Sequence, residues 1–475
     1  MMRCRPWMLV ALLALGVSQG GCAAAPTQPS PGTLAQASPA AMDAELLYQL
    51  LLAELQRRHD PGAAYSLVLD AAKRTQHPQL YRRAVDIALS GRAPNAALDA
   101  ARAWLQAHPA DDDAHRIRTQ LLAGLQRTAE LGPAVRAWLR VASPERRRDI
   151  VSAVPALLDR AADANAAVDA ARTALQDALR DAATAATAQA SLGAVLLQAG
   201  RHAEALLAAD EALRADPTSA AAALLAVELA AHAPVQAAAL VQRHLEATAA
   251  RPDADPTARL AWAQRLARQG ELPAALAVLD ATDVTQPDTL RRVAMLRARL
   301  LRDADQVAAA YDALTAAAQR APDDADLGYE LALTAERLGR HDEAERLLRA
   351  LIERRPEDPH AYNALGYSLA ERGIRLDEAK ALILEAVRRA PNDGYILDSL
   401  GWVEFRLGNT AEARRWLTRA MELKPDAEIA AHLGEVLWTL GERDEARRVW
   451  RQGLELDARN RALVETLRRL GVQDL

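Results

Sequence analysis

Hydrophobic and polar positions along this chain fall into short blocks in which Ala, Leu, Arg, Glu and Gln dominate, with Gly and Pro as the recurring breakers between them. Those are helix-forming residues, and strand signals are missing: the chain has a single Phe and few β-branched runs. From Met42 onward the pattern predicts helix to the end of the chain. The breakers keep time. Pro217, Pro252, Pro287, Pro322, Pro356, Pro391 and Pro425 stand 34 or 35 residues apart, a period of one supersecondary unit.

Other positions repeat inside that period. Leu365-Gly366, Leu400-Gly401 and Leu433-Gly434 are each followed by a helix-stopping Gly (Gly373, Gly408, Gly441) and then by Ala379, Ala413 or Ala446. A mid-helix Gly costs about 1 kcal/mol relative to Ala, so its return is the close approach of a neighbouring helix that a Cβ would block. The Ala positions fit the same crowded seam from the other side. The Pro that follows closes the second helix, because Pro cannot continue it. The run ASLGAVLLQAGRHAEALLAADEALRADP and the run LGYELALTAERLGRHDEAERLLRALIERRP repeat the pattern, and LAWAQRLARQGELPAALAVLD repeats it more weakly.

This order of Leu-Gly, Gly, Ala and Pro resembles the tetratricopeptide repeat. The resemblance implies an all-α, right-handed helical solenoid, and about twelve helix pairs can be counted. Residues 42–180 read as divergent helical repeats, residues 181–457 as tetratricopeptide repeats and residues 458–475 as a C-terminal capping helix. A hinge is expected near residues 181–188, where DAATAATA offers few large side chains. Each helix of about 14 residues is too short to be stable alone, so each pair depends on stacking against its neighbours. In the last helix an apolar stripe of Leu463, Leu467 and Leu470 faces Arg461, Arg468 and Arg469, the polar-backed form that closes an open stack.

The first residues read differently. Arg3 and Arg5, the apolar run WMLVALLALGV and then SQGG precede Cys22, the layout of a secretory signal over residues 1–21. The segment also resembles a bacterial lipoprotein signal, in which the Cys is lipidated; Gln19 stands where that motif has Leu. The only thiols are Cys4, inside the signal, and Cys22, which leaves Cys22 without a structural partner. The alternative is an ordinary signal cleaved near Ala25. Residues 22–41 read as the lipidated Cys and a flexible linker rich in Pro, Ser, Gln and Ala, with a reach of about 20–25 Å. Ala23 after the Cys resembles sorting to the outer membrane, so the localisation expected is lipid-anchored at its periplasmic face.

Charge and motifs narrow the function. The net charge is −5, and the basic residues, nearly all Arg, are interleaved with acids as on a salt-bridged surface, so no nucleic-acid partner is expected. No phosphate loop, HExxH helix, GxSxG elbow or Cys/His metal spacing occurs, and the ten His are scattered, reading as surface or capping residues. Acidic pairs such as Asp342-Glu343, Asp377-Glu378 and Asp444-Glu445 recur at helix starts, where they complement the macrodipole. The expectation is a protein that is not an enzyme, with no cofactor, metal or small-molecule substrate.

Binding remains. In the resembled family the first helix of each pair lines the concave face. Carried onto this chain, that face would show Tyr329 and Arg337; His360, Asn363 and Tyr367; Tyr395, Asp398, Trp402, Phe405 and Arg406; and Glu435 and Trp438. Four of the eight Trp and the only Phe fall between Trp402 and Trp450, and aromatic and Arg side chains are strong interface anchors. Packing between helices is the alternative for Phe405 and Trp438, and Trp416 and Trp450 read as core.

The run DSLGWVEFRLG, followed by AAHLGEVLWTLGERDEARRVW, together with the lipoprotein-like start, is similar to the tetratricopeptide outer-membrane lipoproteins that bind periplasmic carboxyl-terminal processing proteases. That resemblance implies a noncatalytic adaptor that localises and activates such a protease and presents cell-wall hydrolases to it for degradation. The alternative is an assembly lipoprotein of a secretion, pilus or polysaccharide-export machine.

Overall fold

In the computed structural model the described residues are 44–249, 251 and 253–472. The signal, Cys22 and the linker lie outside them, as does Pro252. Every element among the described residues is helical. The chain divides into two compact units, one ending at Gly91 and the other beginning at Arg92. The sequence boundary between residues 180 and 181 falls inside the second.

The first unit holds α1 (Ala44–Gln56), α2 (Pro61–Thr75) and α3 (Pro78–Ser90). Asp60 caps α2 by accepting from the Ala63 amide, and Pro61 takes the first helical position, where a missing N–H costs nothing. Ala53, Val68 and Tyr81 are buried between the three helices. On the rim, Arg83 donates twice to the Glu54 carboxylate of α1, at 2.7 and 2.6 Å.

The second unit begins with α4 (Pro94–Ala107), α5 (Asp112–Gly124), α6 (Thr128–Val141), α7 (Pro144–Leu158) and α8 (Ala164–Leu175). Eight pairs follow: α9 (Ala185–Gln198) with α10 (His202–Ala215), α11 (Ala220–Leu229) with α12 (Pro234–Thr248), α13 (Thr257–Arg268) with α14 (Leu272–Asp280), α15 (Pro287–Asp303) with α16 (Val307–Arg320). The next four are α17 (Ala325–Arg337) with α18 (His341–Arg354), α19 (Pro359–Glu371) with α20 (Leu376–Arg389), α21 (Gly394–Arg406) with α22 (Thr410–Leu423), and α23 (Ala427–Thr439) with α24 (Arg443–Leu456). The last helix, α25 (Arg461–Arg469), packs on α23.

The sequence seam is a physical one. A Cβ built on Gly434 would lie 2.1 Å from Nε1 of the fully buried Trp450, and one on Gly401 would lie 2.5 Å from Leu417 Cγ. First and second helices of a pair therefore meet at a distance only Gly permits. Ala379, Ala413 and Ala446 are wholly buried on the facing helices. Gly408 and Gly441 take φ of +86° and +85° with no neighbour near a built Cβ, so backbone conformation alone selects Gly there. Pro391 and Pro425 stand just past the ends of α20 and α22, whereas Pro287 of the same period opens α15 at its first position.

Regular pairing fails between α5 and α9. Here α6 lies directly on α8, with a Cβ on Gly132 falling 2.6 Å from the Ala170 carbonyl oxygen, while α7 packs against α9. The turn from α8 to α9, which contains much of the expected hinge, is tied down. Arg136 donates to the Asp177 carboxylate at 2.9 and 2.7 Å, and the Thr184 hydroxyl donates to the Ala178 carbonyl at 2.9 Å.

Candidate functional site

The first helices α13, α15, α17, α19 and α23 line a groove within the second unit. Two cavities in it, about 590 and 390 Å³ in volume, share Arg302 and Glu330. These two residues form an ion pair at 2.8 Å, and Arg302 also donates to the Thr334 hydroxyl at 3.1 Å. The larger cavity is lined by the apolar Leu260, Met295 and Leu296 together with Arg292 and Arg299. The smaller one is bounded by Arg337, Tyr367, Glu371 and Glu428.

Short-range chemistry sets the helices that hold these groups. Asp324, Asp358, Asp393 and Asp426 cap α17, α19, α21 and α23, each accepting from amides in the first turn. One cap thus recurs in four successive first helices and fixes their start.

The sequence-expected residues divide by exposure. Arg337 and His360 are exposed, and Tyr395 is 49% exposed, its hydroxyl donating to Asp426 at 3.3 Å. Tyr329, Asn363, Tyr367, Phe405, Arg406 and Trp438 are half-buried. Asp398, Trp402 and Glu435 are buried. Burial, with Asp358 and Glu330 behind it, pushes the Tyr329 hydroxyl up to about 12. The packing alternative describes the two aromatics left open: Phe405 lies 5.4 Å from the Trp402 ring, and Trp438 lies 5.5 Å from Trp450 with Arg443 stacked over it. Trp450 is core and Trp416 is half-buried.

The buried members converge on a residue the sequence reading did not single out. His432 is 3% exposed, and its Nδ1 lies 2.9 Å from Asp398 Oδ1. Trp402 stacks on its ring at 4.2 Å, while the Trp402 indole N–H donates to Glu371 at 2.8 Å. Tyr367 reaches past α21 to donate to Glu428 at 3.2 Å. Burial disfavours the imidazolium, yet the charge and hydrogen bond of Asp398, with Glu428 and Glu371 behind, raise His432 to about 9. Burial raises the Glu428 carboxyl, and burial with the nearby Glu428 charge raises the Tyr367 hydroxyl well above its ordinary value. On the outer side Arg469 of α25 pairs with the buried Glu435.

Histidine thus plays a part that surface or capping roles do not cover. His77 does cap α3, but His115, His244 and His432 are buried, the first two bonded to the carbonyls of Pro109 and Pro217. A signal for His432 was present. Asp398 precedes Gly401 by three positions and His432 precedes Gly434 by two, which puts opposite charges at nearly one level of successive first helices.

The described residues form an all-α stack of helix pairs with a groove along its first helices. The family profile of the tetratricopeptide repeat matches residues 160–220, 295–359, 329–394 and 374–428. A curated protein of Pseudomonas aeruginosa, TPR repeat-containing protein PA4667, is 32% identical over 178 residues, covering 38% of this chain and 30% of that protein. The chain therefore spans less than a third of that relative's length. Among solved structures, yeast Tom70 aligns over 90% of this chain and 95% of its own at 15% identity and a TM-score of 0.39. TTC0263, a thermophilic TPR protein of Thermus thermophilus, aligns over 39% of this chain and 100% of its own at 24% identity and a TM-score of 0.35.

Proposed function

We propose that this protein is a noncatalytic, periplasm-facing lipoprotein scaffold. It binds a carboxyl-terminal processing protease, holds it at the outer membrane in an active form and presents cell-wall hydrolases to it. The observation that carries the reading is the groove of first helices between α13 and α23, with Arg337 exposed in its wall and Tyr395 exposed on α21. Aromatic and Arg groups held on rigid, capped helices are the anchors that protein partners use. The lipoprotein-like sequence before residue 44 supports the location.

The test is a pull-down from detergent extract with tagged full-length protein, scored by mass spectrometry beside a chain ending at Pro356. Recovery of a processing protease by the full chain, and its loss on truncation, is the expected result. Recovery of envelope-assembly components alone would favour the assembly-factor role.

A further inference from the structure

The outer face of α1 is the most apolar open surface on any one helix of the described residues. Leu47, Tyr48, Leu51 and Leu55 are 43%, 67%, 56% and 75% exposed on a helix of 13 residues. At about 100° per residue their spacing puts all four within one arc of about 100°, an amphipathic stripe. Leu46 and Ala53 on the same helix are buried. Such a stripe in water needs an occupant.

We propose that this face docks on a lipid surface, lying in the interface beside the anchor. The inference rests on the anchored reading above for its location, and three observations choose lipid. Both carboxylates of the helix itself are already engaged, Glu45 by Arg74 at 3.3 Å and Glu54 by the two bonds from Arg83. Arg58, just past the helix end, has no partner among the described residues and is free to meet a phosphate headgroup, while Tyr48 is the amphipathic side chain suited to that depth. Cys22 stands 22 residues before the start of α1, so a lipid anchor at that position would bring α1 to the bilayer. The segment between them cannot itself fill the stripe, because residues 23–41 contain Leu34 as their single large aliphatic side chain. No described helix is long and apolar enough to cross a membrane, so α1 would lie in the plane of the surface.

Vesicle flotation tests this with the chain from Ala23 onward, which carries neither leader nor lipid and keeps every described residue. On phosphatidylethanolamine–phosphatidylglycerol vesicles the unlipidated chain is expected to float. Leu51→Glu with Leu55→Glu should reduce the bound fraction at least about tenfold at unchanged circular dichroism, because both positions are solvent-facing. An unlipidated chain that stays in solution, or a variant that floats equally, overturns the proposal. So does a dimer by light scattering that the same variant splits, with no flotation, since the occupant is then a second copy. The anchor is read separately from the mass of the full chain extracted from cells. Flotation with an unmodified Cys22 would keep the docking face and remove the anchor, whereas a lipidated chain that needs its lipid to float would do the reverse.

Discussion

His432 and Asp398, 34 residues apart on successive first helices, meet at 2.9 Å with both side chains almost wholly withdrawn from water. A buried pair of this kind locks the register of α21 against α23. Removing one member leaves the other charge buried and alone, which costs about 3–5 kcal/mol.

Stability of the C-terminal repeats is accordingly expected to fall as pH rises. The His432 pKa of about 9 in the fold lies above its ordinary value, so the stabilisation is complete below about pH 6.5 and is lost as pH climbs through 9. Glu428 acts in the same sense at lower pH, since burial lets the folded state keep a proton that the unfolded chain releases. Thermal melts between about pH 6 and pH 9, below the range where the raised tyrosines contribute, should show the midpoint dropping in the wild type and much less in Asp398→Asn. A wild-type midpoint that is level across that range would refute the assignment.

Gly434→Ala and Gly441→Ala separate the two reasons for glycine. The first drives a methyl into Trp450 and should cost about 1–3 kcal/mol or more through overpacking. The second meets no neighbour and should cost only the left-handed backbone penalty of about 1 kcal/mol. Urea denaturation of both variants gives the comparison, and equal losses would mean that the seam tolerates a Cβ.

Partner binding is best probed where substitution leaves the packing alone. Arg337→Glu with Tyr395→Ser changes two exposed groups and should weaken capture of the partner while shifting stability by no more than about 0.5 kcal/mol per site. Trp402→Ala, by contrast, empties a buried site and should cost about 3–5 kcal/mol. Full partner capture by the first variant would remove these two residues from the interface.

Leu463→Ala tests the end of the stack. Leu463 is fully buried on α25, and its loss should destabilise the chain by about 2–5 kcal/mol. Hydrogen exchange in α23 and α24 should quicken before exchange in α17 and α18. A uniform change along the second unit would show that α25 does not act as a local cap.

How much was legible follows from what repeats. Gly401, Gly434, Gly408 and Gly441 recur at fixed offsets because each pair of helices meets the same steric problem, so the pairs could be read from the chain. The crossing of α6 onto α8 left no comparable mark, since Gly132 stands once and without a periodic partner. In the site, helix membership placed Tyr367 and Trp402 on first helices correctly. Their burial was not legible, because it depends on how sharply successive pairs turn, and that turn brings Glu428 to Tyr367 from 61 residues away. The ion pair of His432 was hidden for the same reason: each partner alone looks like an ordinary polar residue on an ordinary helix.

The bond from Tyr367 to Glu428 changes what kind of object the C-terminal repeats are. A repeat array whose units touch only their neighbours behaves as a string of independent joints, each free to flex. A strut from α19 to α23 that bypasses α21 links three pairs across their two joints, so that a tilt at either joint strains the Tyr367–Glu428 bond. The three pairs are thereby coupled over 61 residues of sequence by a contact that skips the repeat between them.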